Sequence, residues 1–266
     1  MGLISDPMGD KLLGGEPPQR VVSLCPPITE LLFDIGMKGR VVGVSKQCRY
    51  PEVRVREAVS VGNCRRPDVK QILELSPDFI VLDSRETDPA VVTLLKEELP
   101  VWDSATATVL EAIAEIKELG RLMDKQANAD WIAGKVETRF AEFQATFEKP
   151  SEPIRAVLLA SYKPWSAYGA GTLADELLSY IGVENAWSGY KGLISVEDKK
   201  IPGGSSTRLL LTEGPYSFHK RHIPVVERKY PDWQPILVRE DLLTWHGSRL
   251  LRTPEYLKSL YEVLRQ

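Results

Sequence analysis

The chain alternates between strand and helix twice, and the two series are separated by a strand-free stretch at 108–147. In the first series, short apolar runs at 20–24, 41–44, 79–82 and 101–102, with a weaker one at 59–61, read as strands, those at 20–24 and 79–82 as buried ones. Between them lie helical signals. Leu31, Leu32 and Ile35 keep helical spacing, with Thr29 as the expected N-cap and Gly36 as the glycine that ends the helix. Asp68 to Leu75 reads as a helix, and Asp88-Pro89 opens another with proline in its first turn. A mostly parallel sheet covered on both faces is the arrangement that such alternation allows.

In the middle stretch two helices are expected. The second carries Ile132, Val136, Phe140, Phe143 and Phe147 on one stripe. After the linker Lys149-Pro150-Ser151-Glu152-Pro153 the alternation resumes. Strands are expected at 157–159, 209–211 and 236–238. A helix capped by Thr172 should stop at Gly182, and Thr253-Pro254 should open the last helix. The fold class is therefore α/β: two Rossmann-like lobes, each with a central mostly parallel sheet, joined by a long backbone helix. The boundaries read as a lobe at 12–124, the helix at 125–149 and a lobe at 150–266.

Several functions are argued against. A net charge of −3 gives no electrostatic footprint for nucleic acid. No apolar run approaches the roughly 20 residues that cross a bilayer. The first strand is followed by Cys25-Pro26-Pro27 instead of a Gly-x-Gly-x-x-Gly turn, and Walker A and Gly-x-Ser-x-Gly sequences are lacking. His219 and His222, spaced i, i+3, read as capping or solvated side chains, with a metal site as the alternative. Gly169-Ala170-Gly171-Thr172 reads as a turn, with anion binding at the helix start as its alternative. The expectation is a protein that is not an enzyme and has no intrinsic cofactor or metal.

In doubly wound sheets, ligands bind at the loops that follow the carboxyl ends of the strands. In the second lobe this collects Trp165, Tyr168, Tyr216, Phe218, Trp245 and His246, with Tyr190 alongside. In the first lobe it collects Cys25, Cys48, Arg49, Cys64, Arg65 and Arg66, with Arg65 and Arg66 suited to carboxylates or phosphates. Cys25, Cys48 and Cys64 come from three such loops. They read as small buried residues, with a thiolate-metal or redox enzyme as the alternative of another class.

Particular segments resemble a known family. Arg20-Val-Val-Ser-Leu-Cys-Pro-Pro-Ile-Thr-Glu-Leu-Leu-Phe-Asp-Ile-Gly36, Arg40-Val-Val-Gly-Val-Ser45, Tyr50-Pro51, Val61-Gly62 and Leu75-Ser-Pro-Asp-Phe-Ile-Val81 carry the likeness in the first lobe. Tyr162-Lys-Pro-Trp165, Glu213-Gly-Pro-Tyr-Ser-Phe218 and Trp245-His-Gly-Ser-Arg249 carry it in the second. They resemble the helical-backbone metal receptor family, the cobalamin- and ferric-siderophore-binding proteins of ABC importers, and its cobalamin-type members in particular.

The resemblance implies a monomer that holds cobalamin, another corrinoid or a ferric siderophore in a cleft between two lobes, mainly by aromatic contact. It also implies docking on an ABC permease through one acidic residue per lobe. Glu197 matches in the second lobe; in the first, Lys70 stands at the matching position and Asp68 is the nearby substitute. Pro202 and Gly203-Gly204 interrupt a segment that is a short helix in the family, and Gln47, Cys64 and Asp83 replace aromatic residues. The segment at Met1 has no export-signal pattern. The expected location is periplasmic or cell-surface if a leader was removed, and cytoplasmic, as a relative without an importer, if Met1 is the native start.

Overall fold

The computed structural model describes residues 4–5, 15–197, 199–202, 207–214 and 217–266. The chain forms two compact units. One comprises the chain up to Thr106 together with Leu110–Glu137 and His246–Arg249; the other comprises Ala107–Val109, Thr138–Trp245 and Leu250–Gln266.

The strands of the first unit are β1 (Ile4–Ser5), β2 (Val21–Ser23), β3 (Val41–Val44), β4 (Val59–Ser60), β5 (Phe79–Leu82) and β6 (Val101–Asp103). They form one sheet in the order β1-β6-β5-β2-β3-β4, in which β1 is antiparallel to β6 and every other neighbour is parallel. β5 is buried along its whole length, as a central strand covered on both faces must be. On one face Val22, Leu24, Ile80, Leu82 and Val101 pack with Val61, Ile72, Val92 and Leu95.

The helices up to the chain's midpoint are α1 (Pro26–Asp34), α2 (Glu52–Val55), α3 (Val69–Glu74), α4 (Pro89–Glu98), α5 (Val109–Leu122) and α6 (Gln126–Thr146). α1 begins earlier than its sequence suggests. Cys25 is the N-cap, and Pro26 and Pro27 fill the first turn, where a missing N–H costs nothing. Thr29 is therefore inside the helix. Its buried hydroxyl bonds Ser23 Oγ at 2.7 Å and the Cys25 carbonyl at 3.0 Å. Gly36 follows the C-cap at φ +97°, a conformation that favours glycine. Asp68 and Asp88 cap α3 and α4. α6 has 21 residues, about 30 Å, and buries Ile132, Val136, Phe140 and Phe143 along its stripe.

The second unit's strands are β7 (Ile154–Tyr162), β8 (Trp165–Tyr168), β9 (Val183–Asn185), β10 (Leu193–Ser195), β11 (Arg208–Glu213) and β12 (Pro235–Arg239). Its sheet runs β10-β8-β7-β11-β12, with β9 beside the first residues of β7. The pairs of β11 with β7 and β12, and of β7 with β9, are parallel. β8 and β10 run antiparallel and were not legible in the sequence. They are short, and β8 follows β7 after only Lys163-Pro164. Helices α7 (Leu173–Tyr180), α8 (Ile223–Lys229), α9 (Glu240–Leu243) and α10 (Thr253–Leu264) complete the unit. Val157 and Leu159 face the same way as Leu209 and Leu211, and build a core there with Trp165, Trp187, Phe218 and Tyr230. Residues 199–202 contain no helix, while Gly203 and Gly204 lie outside the described residues.

Candidate functional site

In the first unit the carboxyl-end loops carry the cysteines. Cys25 and Cys48 are buried, and Cys48 Sγ lies 3.0 Å from Thr29 Oγ1 and 3.2 Å from Ser45 Oγ. Burial first, and then the charges of Asp83 and Glu115, push the Cys25 thiol well above its ordinary value. Burial also raises Cys48. Half-buried Cys64 is pushed up to about 12 by burial and the Glu86 carboxylate. All three are therefore held as thiols, the opposite of what a thiolate nucleophile or ligand requires. Among the described residues no group of three or more His, Cys, Asp or Glu side chains is placed to hold a metal ion.

Cys64 donates its backbone N–H to Gln47 Oε1 at 3.1 Å, next to Arg65 and Arg66, which are both exposed. Arg66 pairs with Asp88 at 3.1 Å, so its charge is partly committed to the start of α4. Asp68 is exposed and spends a carboxylate oxygen on the Gln71 N–H, while Lys70 pairs with Glu74.

His246 belongs to a short strap, residues 246–249, that is counted with the first unit. Its ring is 3% exposed, with Nδ1 3.1 Å from Glu115 Oε2 and Nε2 3.4 Å from Ser104 Oγ. The Nδ1 approach is close but not aligned as a directed hydrogen bond. Glu115 also accepts from Trp102 Nε1 and Thr106 Oγ1, each at 2.8 Å. Burial alone would raise its pKa, but His246 and the side chains of Trp102 and Ser104 outweigh burial and hold the carboxyl at about 2.

Two steps further on, Ser248 donates to Asp34 at 2.6 Å. Arg249, 2% exposed, grips Glu30 with both arms at 2.8 and 2.7 Å, and its guanidinium lies 4.1 Å from the Tyr50 ring centre. The strap at 246–249 thus supplies anchors to α1 and α5. Glu30, Asp34 and Arg249 stand in segments that carry the family likeness, but neither they nor Glu115 were among the candidate site residues. The available signal was Glu30 and Glu115 standing among apolar neighbours at helical spacing.

In the second unit the strand reversal sorts the aromatic residues. Trp165 lies opposite Tyr162, at the carboxyl end of β7, whereas Tyr168 lies beyond Ala167, the partner of Leu159. Tyr168 therefore points back along the sheet, and Tyr190 goes with it through the bond from Ala170 N–H to the Tyr190 carbonyl. The loop expected to gather Trp165 and Tyr168 is a strand that separates them.

Trp165 is 9% exposed and packs against Phe218, Tyr162 and Tyr230, with ring centres 6.3, 6.3 and 5.7 Å apart. Phe218 is wholly buried, and Trp245 is 7% exposed. Tyr190 is exposed, and Tyr216 lies outside the described residues. Exposed Glu197 accepts the Trp165 N–H at 3.0 Å, and its own carbonyl accepts from Lys229 Nζ at 2.7 Å. At the end of β11, Glu213, His219, Lys220 and Arg221 line a shallow depression of about 340 Å³.

The histidine pair is a cap, because the His219 N–H donates to His222 Nδ1 at 3.1 Å. The glycine turn before α7 likewise satisfies itself. Thr172 Oγ1 accepts the Asp175 N–H, and Gly171 N–H goes to the Asp175 carboxylate.

A family described as periplasmic binding protein matches residues 21–235. A vitamin B12-binding protein of Vibrio parahaemolyticus is 22% identical over 256 residues, covering 94% of this chain and 90% of its own. An uncharacterised ABC transporter substrate-binding lipoprotein of Bacillus subtilis is 24% identical and spans 92% of this chain and 80% of its own. The crystal structure of the periplasmic vitamin B12-binding protein of Vibrio cholerae superposes with a TM-score of 0.78 at 20% identity. The superposition covers 94% of this chain and 99% of that one, and so it shows the same fold.

Proposed function

We propose, from the premise that this chain belongs to the periplasmic binding protein family, that it is the substrate-binding component of an ABC importer and carries a metal chelate. The class of chelate is a corrinoid such as cobalamin, or a ferric siderophore. The observation that carries the reading is coverage. The likeness to a vitamin B12-binding protein extends over 94% of this chain, so it takes in both α/β units instead of one shared module. The protein is then a carrier and not a catalyst, working outside the cytoplasm and handing its ligand to a membrane permease. Glu197, exposed beside the start of β8, and Asp68, exposed at the start of α3, are the acidic residues offered for docking.

Trp165 and Trp245 are the rings nearest to a ligand role, together with Cys64, Arg65 and Arg66 in the first unit. Because Trp165 is built into the core, Trp165→Phe is the informative substitution; Trp165→Ala would open a cavity. The test is a tryptophan-fluorescence titration with cobalamin, cobinamide, haem and a set of ferric siderophores. Saturable quenching by one class, at micromolar concentration or below and altered in Trp165→Phe, is the expected outcome. A folded protein that stays silent across the whole set refutes the chelate reading.

A further inference from the structure

The depression at the end of β11 occupies a privileged place in the sheet. From β7 the chain turns back as antiparallel β8, lays parallel β9 along the same side of β7, and later returns to lay β11 along the other side. The crevice outside the carboxyl ends of β7 and β11 is therefore a topological switch point, where open α/β sheets bind their ligands. The turn that follows β11 reaches back to β7, because the His222 ring packs, tilted, against Tyr162 with centres 4.5 Å apart.

The chemistry of this spot is cationic. Lys220 and Arg221 are exposed, and among the described residues neither has a carboxylate partner. The contact that Arg221 does make is a contested one. Its Nε lies 3.2 Å from His222 Nε2, while the His219 N–H lies 3.1 Å from Nδ1 of the same ring. Burial, and then the charges of Arg221, His219 and Lys163, hold the His222 imidazole below its ordinary range. A neutral imidazole has one acceptor nitrogen, so two donors compete for it. The backbone amide is fixed by the turn and the arginine is not. Arg221 is the weaker-held of the two donors, and its exposed guanidinium can turn to a ligand. Lys220 and Arg221 against Glu213 leave one positive charge, His219 aside, which suits a single negative group.

We propose that this depression is the subsite for an anionic substituent of the carried chelate, a carboxylate or a phosphodiester, with Arg221 and Lys220 as its donors. The proposal rests on the chelate-carrier reading and adds to it a ligand class, a chelate with a peripheral anion. The test compares paired probes on the wild type, Arg221→Gln and Glu213→Gln. Haem carries carboxylates and haem dimethyl ester carries none; cobalamin carries a phosphodiester and cobinamide carries none.

In Arg221→Gln, the anionic member of the pair the protein binds should lose about ten- to a hundredfold in affinity. The uncharged member should be unchanged, which also reports that the variant is folded. Glu213→Gln should tighten the anionic member severalfold, and the pair that responds distinguishes carboxylate from phosphodiester. Equal loss for both members, or no loss for either, overturns the subsite while leaving the carrier reading intact. A wild-type protein that binds none of the four overturns the carrier reading, and the subsite with it.

Discussion

Removing the Arg249 side chain is the sharpest test of how the first unit is held together. Arg249 makes two charge-assisted hydrogen bonds to Glu30, at 2.8 and 2.7 Å, from a guanidinium that is 2% exposed. Glu30 is itself buried, at 7% exposure. In Arg249→Met the stem is roughly replaced, but the Glu30 carboxylate loses its counter-charge in a site that water barely reaches. Breaking one side of a buried pair costs about 3–5 kcal/mol, mostly the penalty of the stranded charge. Loss of the stacking contact with Tyr50 adds up to about 1 kcal/mol.

For a chain of this size the expected fall in Tm is roughly 6–15 °C. The urea transition that reports on the first unit should move to lower concentration by about 1–2 M with little change in slope. Trp102 lies in this unit and its fluorescence can follow it. The double variant Glu30→Leu/Arg249→Met should recover most of the loss, because no charge is then left buried. The reasoning is refuted if Arg249→Met costs under about 1 kcal/mol, or if the double variant is no more stable than the single one.

Three further outcomes are expected. Glu115 titrates at about 2 when folded against an ordinary value of 4.5, so its stabilisation is present above 4.5 and is lost as the pH falls towards 2. Glu115→Gln should flatten the loss of stability across that window in urea titrations at stepped pH, and an unchanged slope would count against the buried carboxylate. Cys64, held near 12 against an ordinary value of 9, should react with a thiol reagent at pH 8 about a thousandfold more slowly in the native state than in guanidinium. Equal rates would mean that the thiol is not buried as described. Trp165→Ala should destabilise the second unit by about 3–5 kcal/mol, measured by denaturant unfolding, and Trp165→Phe by clearly less. Near-neutrality of the alanine variant would place Trp165 outside the core.

Much of the architecture was written in local pattern. Runs such as Phe79-Ile80-Val81-Leu82 have too many consecutive apolar residues for a strand exposed on either face, so parallel strands and covering helices followed. The stripe from Ile132 to Phe143 specified α6, and Asp68, Asp88 and Thr172 announced the starts of α3, α4 and α7 because a capping side chain acts within three residues of itself.

What local pattern left open depended on partners far away in the chain. β8 and β10 are strands because β7 offers an edge for them to pair with, and their own sequence does not demand it. That pairing separates Trp165 from Tyr168, which are three residues apart. The strap at 246–249 joins α1 across more than two hundred residues of chain, so Arg249 and Glu30 carry no mark of each other in the sequence. The sequence by itself determined the class of fold and the family, since both reside in short-range periodicity and segment likeness. Only the tertiary structure decided that Phe218 and His246 are buried, because burial exists only once distant segments meet.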